Sequence, residues 1–236
     1  MLSRRSFCSC TSLALFSSLV TTGARAEPAE CAVMTADRQR AIAPDEAIER
    51  LKTGNGRFVS GKTINCNHMQ QVKETSKSQA PFAAIVGCMD SRVPPELIFD
   101  QRIGDVFCAR VAGNFVNTDI IGSLEYAAKV AGARAIVVLG HSDCGAIKGA
   151  VDNVKLGNLT ATLANIRPAV AASKTTGDRT SKNATFVQAV AEANVAMAIA
   201  ALTAKSSTLK SLVTAGQLRI AGAMHDLATG GVNFLG

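Results

Sequence analysis

The stretch RAIVVLG at 134–140 is apolar throughout after its arginine, and it is only a strand's length. A short continuous apolar run bounded by glycine reads as a strand covered on both faces, the pattern of inner strands in a parallel sheet. FAAIVG at 82–87 has the same character, and DVFCARVAG at 105–113 reads as another strand. Helical segments separate them. PDEAIERLKTGNGRF, from Pro44, opens with proline and acids and reads as a helix ended by Gly-Asn-Gly. MQQVKETSKS is a second, weaker helix. TDIIGSLEYAAKVAG at 118–132 places Ile121, Leu124 and Ala128 at helical spacing behind a Thr or Asp cap. Further helices are predicted at about 145–153, 159–173 and 183–204; the last is Ala-rich and apolar on most sides, which suits a core or a subunit interface. LRIAGAMHDLATGGVNFLG alternates on either side of Thr-Gly-Gly and reads as a terminal hairpin. The alternation predicts an α/β fold, a mostly parallel central sheet of about five strands flanked by helices and ending in a C-terminal antiparallel hairpin.

The first 26 residues do not belong to that pattern. Ser3-Arg4-Arg5-Ser6-Phe7, a modestly apolar stretch from Thr11 to Val20 and the small-x-small site Ala24-Arg25-Ala26 read in order as a twin-arginine export signal. Residues 1–26 are thus expected to be the signal peptide. Residues 27–236 form one domain, exported to the periplasm. The apolar stretch is shorter than the ~20 residues a spanning helix needs, and no later segment is expected to span a membrane. Removing Arg4, Arg5 and Arg25, with no acid among the 26, lowers the net charge by three, from +7 to +4. The remaining basic residues are scattered, with one tyrosine and no tryptophan to stack on bases, so no nucleic-acid partner is expected.

Five of the seven cysteines lie beyond the signal: Cys31, Cys66, Cys88, Cys108 and Cys144. An oxidising compartment makes a disulfide the plain reading of any of them, and an odd count leaves at least one unpaired in the monomer. Cys88 directly follows the strand 82–87, and His141 directly follows the strand 134–140. Cys144 lies three residues on, near a helix N-terminus that favours a thiolate. Open α/β sheets gather ligands beyond the carboxyl ends of their strands, where these residues fall. A Cys88–Cys144 disulfide leaves His141 unexplained, and a Cys–His nucleophile leaves one cysteine idle. Two sulfurs and an imidazole suit zinc, which uses all three residues. Three protein ligands leave the fourth position for water, as in catalytic sites. Cys108, Cys66 and His68 are other possible ligands, but Cys108 is expected to pack in the core, and the other two to sit in a polar loop, disulfide-bonded or exposed. Asp90 and Arg92 adjoin Cys88. An acceptor ionised by a paired arginine suits the orientation of a zinc-bound hydroxide.

CMDSR at 88–92, taken with GHSDCG at 140–145, resembles the β-class carbonic anhydrases. FDQRIGDVFCARVAGN and SLEYAAKVAGARAIVVLGHSDCGAIKGA look like that family as well, and the resemblance covers nearly the whole mature chain. It implies a lyase that reversibly hydrates CO2 to bicarbonate and a proton, with zinc hydroxide as nucleophile. One Zn2+ per chain is then held by Cys88, His141 and Cys144, and Asp90 and Arg92 form the catalytic dyad. Gln79, nine residues before Cys88, matches the glutamine that helps hold CO2 or bicarbonate in the plant-like, open-site subgroup. Phe107 and Tyr126 match apolar or aromatic pocket positions. A homodimer or higher homo-oligomer is implied too. Met89 stands where many members carry a smaller residue and is expected to narrow the approach to the metal. Two other readings compete: a CS2 or COS hydrolase on the same scaffold, and a periplasmic zinc-binding protein without activity, to which the dyad would be useless.

Overall fold

The computed structural model describes residues 29–235; the signal peptide expected over residues 1–26 lies outside them. A 3-10 turn (Ala29–Cys31) leads into helices α1 (Ala36–Ala41), α2 (Pro44–Val59) and α3 (His68–Thr75). Strand β1 (Ala83–Gly87) is followed by the short α4 (Pro95–Ile98) and strand β2 (Val106–Arg110). Helix α5 (Thr118–Glu125) runs into a π-helical turn (Tyr126–Val130) and then strand β3 (Ala135–His141). Helices α6 (Gly145–Val151), α7 (Leu159–Ala164), α8 (Arg167–Ala172), α9 (Ala184–Lys205) and α10 (Ser207–Thr214) precede β4 (Arg219–His225) and β5 (Val232–Leu235).

The strands form one sheet in the order β2-β1-β3-β4-β5. The first four are parallel and β5 is antiparallel to β4. Every residue of β1 and β3 is buried, which accounts for their unbroken apolar runs. Alternate side chains feed two cores. Ala84, Val86, Ile136 and Val138 pack with Leu124, Ile147, Val190, Val195 and Leu202 on one face, while Ile85, Val137 and Leu139 meet Ile48, Leu51, Phe82 and Phe99 on the other. Cys88 and His141 emerge together at the carboxyl end, because β1 and β3 are neighbours with Gly87 opposite Leu139.

Three local expectations are corrected and a fourth is qualified. Helix α2 does not stop at Gly54-Asn55-Gly56 but runs through to Val59. A Cβ on Gly54 would lie 1.8 Å from the carbonyl oxygen of Phe99, so the glycine admits the neighbouring backbone. Asn55 donates to the carbonyls of Ile98 and Gly230 and accepts the amide of Val232, tying the helix to the terminal hairpin. The helix expected over 159–173 breaks at 165–166, where Pro168 lacks the N–H that continuity with Ala164 requires. Cys108 packs against the core as expected but is only half-buried, since β2 is an edge strand. Finally, α9 is long and apolar enough, by length and composition, to cross a membrane, which the sequence expectation missed. In the fold its Val187, Val190, Val195 and Leu202 are buried in the core beside β3 and β4. Cys31 and Cys66 form a disulfide that ties the N-terminal turn to the segment before α3.

Candidate metal centre

The three sequence-predicted ligands converge. Cys88 lies one residue beyond β1, His141 is the last residue of β3, and Cys144 is the N-cap of α6. Asp143 between them adopts a left-handed conformation, φ 55°, which folds the chain back so that Cys144 meets Cys88. The two sulfurs are 3.9 Å apart. The sulfurs and a ring nitrogen of His141 lie within 4.8 Å of one another, and all three residues are buried. Two sulfurs each ~2.3 Å from a tetrahedral zinc stand about 3.8 Å apart, so the spacing fits the ion.

The histidine supplies the sharper test. His141 Nδ1 lies 2.8 Å from the carbonyl oxygen of Ser142, which can only accept, so Nδ1 carries the proton. Nε2 is left with its lone pair, buried and without a hydrogen-bond partner. An orphaned acceptor beside two thiols is costly unless a cation is meant to sit there. The thiols agree. The Cys88 thiol is pushed well below its ordinary range, first by its hydrogen bond with Cys144, then by His141 and the Gly113 amide, against the cost of burial. Cys144 is pushed up by sharing that bond and by burial, while the amides of Ala146 and Ile147 favour its thiolate. The two sulfurs share one hydrogen bond, and a divalent cation can take the place of the proton between them.

Asp90 and Arg92 form the dyad the sequence suggested. Arg92 Nε donates to Asp90 Oδ1 at 2.9 Å and Nη2 to Oδ2 at 2.8 Å, while the Arg92 backbone N–H donates to Oδ1 at 3.0 Å. These contacts hold the Asp90 carboxyl well below the usual carboxylate range. Asp90 is mostly shielded, whereas Arg92 is half-exposed.

Several supporting residues were not legible in the sequence. Arg110, at the end of β2, donates from Nε to the Cys88 carbonyl at 2.8 Å and from Nη2 to the Asp90 carbonyl at 2.6 Å. The Gly113 amide donates to the Cys88 sulfur at 3.3 Å. Gly113 sits at φ 83°, and a Cβ there would lie 2.4 Å from Ile166 Cδ1, so only glycine fits. Asn194 of α9 donates to the Gly113 carbonyl at 2.8 Å. It is the one polar side chain among the buried positions of α9. His225 pairs across the sheet with His141, and its buried Nδ1 has no partner. Burial pushes its pKa down.

The substrate-binding expectations do not join the metal within one chain. Gln79 is exposed and precedes β1. The site lies past the other end of that strand, ~20 Å along the sheet. Phe107 is level with Ala84, three positions before Gly87, and its ring contacts Tyr126 with centroids 6.2 Å apart. Both line a groove beside β2 with Ile120, Leu124 and Ala127. Met89 is 64% exposed, beside the buried Cys88. Cys66 is consumed in the disulfide and His68 is exposed at the start of α3, which removes both as further ligands.

Comparison with known proteins agrees with this geometry. A family profile described as carbonic anhydrase matches residues 83–232. The carbonic anhydrase 2 of Mycobacterium tuberculosis is 36% identical over 189 residues, 79% of this chain and 90% of its own length. Among solved structures, a Coccomyxa β-carbonic anhydrase in complex with acetazolamide aligns with a TM-score of 0.64 at 28% identity, covering 71% of this chain and 77% of that one. A tetrameric β-carbonic anhydrase from Sordaria macrospora aligns with a TM-score of 0.60 at 26% identity, covering 71% and 90%.

Proposed function

The chain belongs to the β-class carbonic anhydrases, zinc-dependent enzymes that reversibly hydrate CO2, and from that premise we propose how its own residues divide the work. Cys88, His141 and Cys144 would hold the zinc, which when bound would supply the Lewis acidity that ionises a water near neutral pH. The partnerless Nε2 of His141 between two sulfurs is the observation that carries the reading. Asp90 is the fixed acceptor beside that site. Its Oδ2 lies 4.0 Å from His141 Nε2, and the Arg92 fork leaves it ionised and unable to swing freely. A carboxylate held so far below its usual range orients a water proton rather than keeping it, so the proton released in each turnover passes on to solvent buffer.

CO2 offers few polar handles, so its binding needs an apolar wall and a well-placed donor. Gln79, Phe107 and Tyr126 suit those roles but stand away from their own chain's ligands. Our reading is that they serve the site of a second copy. Support comes from β2, an outer strand unpaired along one side, with the groove containing Phe107 and the half-exposed Tyr126 beside it. Gln79 also supports reading the enzyme as a member of the plant-like, open-site subgroup. Export to the periplasm by the twin-arginine route is proposed from Arg4-Arg5 and the segment behind them. The Cys31–Cys66 disulfide supports it, since such bonds persist in oxidising compartments.

Stopped-flow CO2 hydration on protein of measured zinc content tests the function. Turnover that scales with bound zinc is the expected result. Zinc-replete protein without turnover would overturn the assignment. For export, replacing Arg4 and Arg5 by lysine should leave the precursor in the cytoplasm, and normal delivery of that variant would refute the route.

A further inference from the structure

The end of β2 and the segment leading on to α5 have no part in the mechanism above, yet they touch the site at several points. Cys88 and Asp90 are separated by Met89 alone, whose side chain turns outward. Their carbonyl oxygens therefore face the same way, two residues apart, and both accept from one guanidinium. Nε and Nη2 of Arg110 form one rigid edge of that group, so the two bonds, 2.8 and 2.6 Å, fix the separation of the carbonyls as well as their direction. The stem of Arg110 packs beside Gly87, its partner across the β1–β2 ladder. Three residues further on, the Gly113 amide reaches the Cys88 sulfur. The ladder places these donors, and the Asn194 bond to the Gly113 carbonyl holds the segment from α9.

We infer that Arg110 is a positioning residue for this reaction, one that sets the metal ligand Cys88 and the dyad carboxylate Asp90 in a single geometry from the edge strand. This rests on the zinc reading above and deepens it. The Arg110 guanidinium bonds the Cys88 and Asp90 carbonyls rather than a candidate ligand atom. It acts by holding the turn in which Cys88 and Asp90 sit, so that the Asp90 carboxylate cannot shift without moving Cys88. Only a planar fork can do this. Lysine has the same charge and a similar stem but is a point donor that reaches one carbonyl at a time.

The test compares Arg110→Lys and Arg110→Met with the wild-type protein. Three quantities are read: zinc affinity by chelator competition, kcat and KM for CO2 hydration, and the sulfur-to-metal charge-transfer band after cobalt substitution. Arg110 is exposed at a strand end, so both variants should keep the wild-type unfolding midpoint. Both should bind zinc on the order of 10–100-fold more weakly. At full metal loading kcat should fall by a similar factor with KM little changed, and the cobalt band should shift in both. A lysine variant with wild-type affinity, kcat and cobalt spectrum overturns the inference, because charge alone then suffices. If the wild-type protein binds zinc but does not hydrate CO2, the functional reading fails while the affinity comparison still decides the role of Arg110. A wild-type protein that binds no zinc overturns both.

Discussion

Oδ2 of Asp90 lies 4.0 Å from Nε2 of His141 while both Asp90 oxygens remain forked by Arg92 at 2.9 and 2.8 Å. The carboxylate stands next to the metal position without being free to occupy it. Becoming a ligand would require it to exchange a charge-assisted double hydrogen bond for a metal–oxygen bond, and the two are close enough in energy that the neighbours decide. The pull of Arg110 on the Asp90 carbonyl weighs on the same side as Arg92.

In the zinc form near pH 7, Asp90 should therefore keep its Arg92 fork, with three protein ligands on the metal. A structure of that form is the check. An Asp90 oxygen at ~2.0–2.2 Å from zinc would mean a site closed by a fourth protein ligand and would overturn the open-site reading.

Arg92→Ala should leave zinc bound and cut kcat on the order of 10²-fold, because Asp90 loses the partner that keeps it charged and placed. Stopped-flow rates on variant protein with its zinc measured decide the point. Unchanged turnover would reduce the pair to a surface ion bridge.

Subunit mixing can show whose site Gln79 serves. Neither Gln79→Ala nor Cys88→Ser alone should retain full activity. A mixed dimer pairs the intact metal site of one chain with the intact glutamine of the other. After free subunit exchange about a quarter of all sites should recover in a twofold dimer. No gain on mixing, with exchange verified by mass spectrometry, means that Gln79 does not act across the interface.

The Cys31–Cys66 disulfide spans 35 residues and includes the long α2 in its loop. Reducing it, or replacing Cys31 by serine, should lower stability by about 3–4 kcal/mol on loop entropy and leave the zinc ligands intact. Urea unfolding with and without reductant, alongside zinc analysis, measures both. Loss of metal under mild reduction would show that the staple and the site are coupled.

Asp105 gives a pH signature unrelated to catalysis. It is buried, accepts the Arg102 amide at 3.1 Å and lies near Arg102, Arg38 and Arg50. Burial outweighs these partners and raises its pKa above the usual carboxylate value. The stability it contributes is then complete below the unfolded pKa, near 3.8, and is lost as pH rises through the higher folded value. Asp105→Asn removes that loss, so its unfolding midpoint should gain on wild type as pH goes from 4 to 7. A difference that stays constant over that range, or runs the other way, contradicts the assignment.

The sheet was readable because burial on both faces demands unbroken apolar strands, and β1 and β3 could hardly be anything else. The cluster of candidate metal ligands was readable for a related reason. Cys88 and His141 stand at the strand ends, and the neighbourhood of two inner parallel strands brings such ends together. Gly54-Asn55-Gly56 misled because glycine signals a stop only when nothing needs the space, and here Phe99 does. What the linear order could not give was the set of contacts made across it. Arg110 lies 22 residues from Cys88, and Asn194 lies 81 from Gly113. Hydrogen bonds at such separations leave no local spacing to read. Gln79 shows the same limit from the other side. Its residue type matched the role, but the strand between it and Cys88 carries it to the far end of the sheet. Residue chemistry and local period belong to the sequence; which groups share a site is decided by the path of the chain through space.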